Sequence, residues 1–82
     1  MTNKLYLLIS KIFSITYSEI NSNSNPENIS QWDSLNTYIL VDEIEKNFDV
    51  KFTLDEIVSI TNVGDIEKIL KNKNCDLIDN EQ

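Results

Sequence analysis

From Ser34 to Asn47 apolar side chains recur at helical spacing, and this run constrains everything else the chain can do. At about 100° per residue, Thr37, Leu40, Val41, Ile44 and Phe48 fall on one side and define a core face. Asp33 stands where an N-cap belongs, and its acid suits the positive end of a helix. A stripe of this kind must be buried against other helices. In 82 residues there is room for one core only, because a chain this short buries about 60–65% of its unfolded surface. The opposite side carries Leu35, Ile39, Asp42 and Lys46, with Tyr38 and Glu45 on one flank and Glu43 on the other. Folding alone does not account for Leu35 and Ile39, one turn apart beside Ser34. They suggest a partner surface, although single exposed apolar residues are ordinary.

The rest of the chain supplies partners for that face. Residues 3–15 carry Leu5, Leu8, Ile9, Ile12 and Phe13 in one helical stripe, with Thr2 or Asn3 as the cap. Tyr6, Leu7 and Ile15 widen it, so this helix is expected to be largely covered. Between Thr16 and Gln31 the pattern breaks. Asn21-Ser22-Asn23-Ser24-Asn25-Pro26 is a dense cluster of loop formers, in a connection long for so small a domain. Ile20, Ile29 and Trp32 are its apolar anchors, with room for a single helical turn at Ser18–Ile20 or Pro26–Ile29. Phe48-Asp49-Val50-Lys51-Phe52 alternates like a strand, but an isolated strand is not stable. It reads as an extended connector burying Phe48, Val50 and Phe52. Thr53-Leu54-Asp55-Glu56 has the capping-box form and predicts a short third helix ending near Ile60, with Leu54, Ile57 and Ile60 inward. Asn62 caps a last helix from Val63 to about Asn72, with Val63, Ile66, Ile69 and Leu70 inward. The fold class is therefore all-α: a small four-helix bundle, three main helices and one short, with a long loop between the first two. Residues 1–72 form the domain, and residues 73–82 are expected to be a frayed tail.

Composition removes whole classes of function. With 14 acidic and 7 basic residues the net charge is −7, and there is no histidine. The usual general base and a frequent metal ligand are thus missing. Nucleic acid is disfavoured as a partner because its phosphates need Lys and Arg. The acidity favours basic partners, though charge alone does not separate that from plain solubility. The one cysteine, Cys75, excludes an internal disulfide and reads as an incidental free thiol in a reducing compartment. The apolar run after Met1 is too short for a secretory or membrane-inserting segment, so the cytoplasm and a monomer are expected.

Ser34 is the residue that stands out. A serine in a first helical turn is most often a cap, but Asp33 already supplies one, which leaves the hydroxyl free. A serine nucleophile needs an adjacent base; this chain has no histidine, and Lys46 lies three turns away. Ser34 therefore reads as the substrate of another enzyme, and no residue is assigned a catalytic role. Asp49, Asp55 and Glu56 are acids of the kind that coordinate calcium, but no D-x-D-x-D-G loop accompanies them, so no metal is expected.

Asp33-Ser34-Leu35, followed by Leu40-Val41, Ile44-Glu45, Phe48, Asp55-Glu56 and Ile60-Thr61-Asn62-Val63, resembles the acyl carrier protein family. The likeness runs without a gap from Trp32 to Leu70. The resemblance implies that Ser34 is esterified by a phosphopantetheinyl transferase, which moves 4′-phosphopantetheine from coenzyme A. The thiol of that arm then carries an acyl or aminoacyl group as a thioester, and the protein itself is not an enzyme. It implies docking on loading and transferring enzymes with basic surfaces through the second helix, where Asp33, Leu35, Tyr38, Ile39, Asp42, Glu43 and Glu45 are the matching positions. A phosphodiester at the positive end of a helix is electrostatically favourable.

The departures bear on the pathway. Gln31-Trp32 replaces the glycine usual two residues before the aspartate in fatty-acid carriers, Ile39 stands where an acid is expected, and Lys46 adds a positive charge. The Trp-Asp-Ser-Leu form is similar to stand-alone carriers of side pathways, such as surface polysaccharide, lipid or specialised-metabolite formation. The Gly-Gly-His/Asp-Ser context of peptidyl and polyketide carriers is missing. The alternative is a degenerate carrier that acts, unmodified, as a helical adaptor.

Overall fold

The computed structural model describes residues 2–79. Helix α1 (Lys4–Phe13) starts where Asn3 Oδ1 accepts the Tyr6 N–H at 3.1 Å. It stops at Ser14, whose backbone is left-handed (φ 57°). Helix α2 (Ser34–Phe48) is capped by Asp33, which accepts the Asn36 N–H at 2.8 Å. Its end has the same form: Asp49 turns left-handed (φ 56°), and the Asp49 and Val50 amides both return to the Glu45 carbonyl. Neither stop is a glycine, and Asp is one of the few other residues that tolerates this backbone.

The connector after α2 is extended, as expected. Phe52 is buried, with Phe48 and Val50 partly covered. Helix α3 (Leu54–Val58) has the full reciprocal capping box of Thr53 and Glu56. It is shorter than predicted, and Leu54 is not inward but 65% exposed. The reason lies in the box. Glu56 is tied to the Thr53 amide and forms an ion pair with Lys73 at 3.1 Å, which fixes the rotation of a five-residue helix. Ile57 then turns toward the core and Leu54 to solvent. Helix α4 (Val63–Asn72) is capped by Asn62, as predicted.

The core is built from Leu5, Ile9 and Phe13 of α1, Leu40, Val41 and Ile44 of α2, and Val63, Ile66 and Leu70 of α4. Ile20, Ile29 and Trp32 pin the long loop to it. Within that loop one turn of 3₁₀ helix spans Tyr17–Glu19. Two expectations need correcting. Leu7 stays exposed, so α1 is less covered than its wide stripe suggested. The segment after Lys73 is not frayed as far as Asp79: Leu77 is buried, and its carbonyl accepts the Lys4 amide at 2.7 Å. Strands β1 (Thr2–Asn3) and β2 (Ile78–Asp79) then pair antiparallel. Leu77 docks the tail by its own burial and by accepting the Lys4 amide, and Cys75 packs beside the core as well. Residues 80–82 of the expected tail lie outside the described residues. No helix among the described residues is long and apolar enough to cross a membrane.

Candidate functional site

Ser34 is the first residue of α2, and its position is set by the four residues around it. Trp32, 4% exposed, stacks on Phe13 with ring centroids 5.4 Å apart. Its indole N–H donates to Thr37 Oγ1 at 2.8 Å, and that hydroxyl donates to the Asp33 carbonyl at 2.9 Å. Asn36 reaches back as well: its amide donates to the Asp33 carboxylate, and its side-chain NH₂ donates to the Gln31 carbonyl at 2.6 Å. Core packing is thereby transmitted to the turn through one aromatic residue, and two polar side chains lock the turn from inside the helix. Asp33 is spent on the cap, so Ser34 has no structural duty there. Its side chain is exposed.

The long loop supports this arrangement from the other side. The first-turn amides of α4, Val63 and Gly64, donate to the carbonyls of Ser24 and Ser22 at 2.9 and 2.8 Å. These are the orphan donors of a helix start, satisfied by loop backbone. Gly64 eases the approach: a Cβ there would lie a tight 3.1 Å from the Ser22 carbonyl oxygen and 3.2 Å from Asn62 Oδ1. Glu67 holds both the Ser22 hydroxyl, at 2.7 Å, and the Tyr6 hydroxyl, at 2.9 Å. Burial is the largest influence on that phenol and pushes its pKa up, keeping it a donor.

Beside Ser34 an open groove of about 270 Å³ runs between α2 and α3, lined by Ser34, Thr37, Tyr38, Ile57, Val58 and Ile60. The residues expected to form a partner surface separate into three kinds. Leu35, Tyr38 and Ile39 are exposed, as their positions on α2 predicted. Asp42 is exposed but forms an ion pair with Lys46 at 3.2 Å, which pushes the lysine pKa up. Glu43 is half-buried, and so is Glu45. The Glu45 carboxylate accepts the Phe52 amide at 2.8 Å. Glu45 is thus also a structural clasp on the connector, and its carboxylate keeps its charge. Asn36 and the α3 side of the groove were missed in the sequence. The signal for α3 was present as Leu54 and Val58, four apart and on one helical face. Asp49, Asp55 and Glu56 form no group able to hold a metal ion.

A short first helix, a long pinned connection, a central helix opening on an exposed serine, and two closing helices make up the acyl carrier protein fold. A holo acyl carrier protein from Geobacter metallireducens, solved in solution by NMR, matches it with a TM-score of 0.77. The match covers 89% of this chain and 87% of that one, at 24% sequence identity. No protein-family model matches the chain.

Proposed function

We propose that this chain is an acyl or aminoacyl carrier protein that bears 4′-phosphopantetheine on Ser34. The observation that carries the reading is the exposed Ser34 hydroxyl, unused by the cap, at the head of α2 in a fold shared with a holo carrier. The site fits such a group. Ser34 Oγ stands at the positive end of a 15-residue helix, where a phosphodiester is stabilised by the dipole and by first-turn amides. When bound, the group supplies a terminal thiol that holds cargo as a thioester. The chain's own residues do the rest: Asp33, Asn36 and Thr37 fix the attachment point, Trp32 ties it to the core, and the open groove leaves room beside it. With no histidine to activate Ser34, the proton must be removed by a phosphopantetheinyl transferase.

Ile39 and Lys46, where carriers of fatty acid synthesis have a more acidic face, favour a dedicated side pathway in the cytoplasm, served by acyl- or aminoacyl-loading and transferring enzymes. The exposed pair Leu35 and Ile39 also suits a second reading, an unmodified helical adaptor. One experiment separates them. Incubation with coenzyme A and a broad-specificity transferase should add a single phosphopantetheine by intact-mass spectrometry, and Ser34→Ala should abolish it. An unchanged wild-type mass would remove the carrier reading.

A further inference from the structure

A hydrocarbon chain tethered at Ser34 would be driven to bury itself, because every methylene removed from water is favourable. The helices beside the serine decide whether it can. The groove next to Ser34 is open, with a volume of about 270 Å³. Ile57 and Ile60 line it and also pack against the core, so the groove ends on side chains already in use. Trp32 fills the head of α2 in the same way, 4% exposed and stacked on Phe13. The core side chains Leu40 and Ile44 of α2, and Val63 and Ile66 of α4, have no exposed surface. An interior packed like this takes in further methylenes only if side chains or helices move.

The helices that would have to part are fastened. Helix α3, one wall of the groove, is tied to α4 at both ends. At its start Glu56 forms the half-buried ion pair with Lys73, whose ammonium also lies 5.6 Å from the centre of the Phe52 ring. Just past its end the Thr61 amide and hydroxyl both donate to the Asp65 carboxylate, at 2.8 and 2.6 Å. The connector leading into α3 is held to α2 by the Phe52 amide on Glu45. Across the groove, Trp32 and Asn36 lock the first turn of α2 through Thr37 and the Gln31 carbonyl. Moving α3 outward breaks contacts to two helices at once, whereas a cargo left outside breaks none.

We propose that the cargo carried from Ser34 stays on the surface of the helices, and that it is a short or polar acyl group, aminoacyl included, in place of a long hydrocarbon chain. The inference rests on the reading of Ser34 as the attachment point. The groove suits a group of that kind. One wall carries the hydroxyl-bearing side chains Thr37 and Tyr38, and the other the aliphatic Ile57, Val58 and Ile60. A small group resting there is covered on one side and open to water on the other. A long chain in the same place would leave most of its apolar surface in water.

The test loads the arm with acetyl or octanoyl from the matching coenzyme A thioesters, using a broad-specificity transferase, and confirms each load by intact mass. The octanoyl form should melt within about 2 °C of the acetyl form and be retained longer on a hydrophobic-interaction column. Backbone amide resonances of Leu40, Ile44 and Ile66 should coincide in the two forms. A chain that enters the core gives the opposite pattern. Tm would rise by about 10 °C or more, because burial in the native state alone is stabilising. Retention would equal that of the acetyl form, and the core amides would shift. That pattern overturns the inference and leaves the carrier reading standing. If the wild type gains no mass from either thioester, the attachment reading fails and the inference fails with it.

Discussion

The connection between α1 and α2 and the edge shared by α2 and α3 use their side chains in opposite ways. In the connection, small polar side chains are consumed by backbone. Asn21 Oδ1 accepts the Asn23 amide, Ser24 Oγ accepts the Asn21 amide, and Asn25 Oδ1 accepts the amides of Glu27 and Asn28. Ile20, Ile29 and Trp32 then press this self-satisfied loop onto the core. Along the α2–α3 edge the backbone is regular and well capped, but five large apolar side chains face solvent. One region has little regular structure beyond a single 3₁₀ turn and ties its polar side chains to its own backbone. The other has regular structure and leaves apolar surface unburied. The first region spends its side chains on its own backbone, and the second leaves apolar surface open to contact.

That contrast breaks most visibly at Trp32. Trp32→Ala removes the stack on Phe13 and the indole hydrogen bond to Thr37 together. The expected cost is about 3–5 kcal/mol, a fall in Tm on the order of 15 °C for a domain this size. Trp32→Phe should recover most of that loss, because the stack survives without the hydrogen bond. Leu77→Ala tests the docked C-terminal segment in the same thermal melt. It should cost about 2–3 kcal/mol, where a frayed tail would cost nothing. Gly64→Ala probes how closely loop and α4 approach. Alanine is normally the better helix former by about 1 kcal/mol, yet here its Cβ would crowd the Ser22 carbonyl at 3.1 Å. The expected result is a net loss of about 1 kcal/mol, with faster amide exchange at Gly64 and Val63.

Acid sharpens the comparison from the polar side. Hydrogen bonds from Thr61 hold the Asp65 carboxyl below its ordinary range, the side-chain bond contributing most. A group with a lowered folded pKa binds fewer protons than in the unfolded chain. Its contribution is complete above about pH 5 and is lost as pH falls through the folded value. Tm should therefore drop on acidification by a few degrees more in the wild type than in Asp65→Asn. The smallest effect on stability belongs to the apolar edge. Ile39→Glu should change it by less than about 0.5 kcal/mol, as the side chain faces solvent. Unfolding by circular dichroism would contradict that helix register.

Much of this architecture was legible in residue spacing. The three long helices follow from apolar periodicity, and the caps at Asp33 and Asn62 were readable because Asn and Asp satisfy the first orphan amides locally, whereas the sequence left Thr2 and Asn3 both open for α1. What could not be read depended on neighbours remote in sequence. Leu54 points outward because Lys73 and Thr53 jointly fix Glu56. Glu45 turns inward to meet the Phe52 amide, a contact set by where the connector passes. Leu77 is held by its own burial and by the Lys4 amide. At the site, Ser34 stood out because Asp33 took the cap, whereas Thr37 read only as a core-face residue and its bond to Trp32 required the fold.

The central claim concerns one hydroxyl among several in the same stretch. After treatment with coenzyme A and a transferase, tryptic cleavage at Lys11 and Lys46 releases a peptide that also contains Ser14, Ser18, Ser22, Ser24 and Ser30. Tandem mass spectrometry of that peptide should place a single phosphopantetheine on Ser34 and leave the other serines bare. An unmodified peptide, or the group on any other serine, would contradict the account.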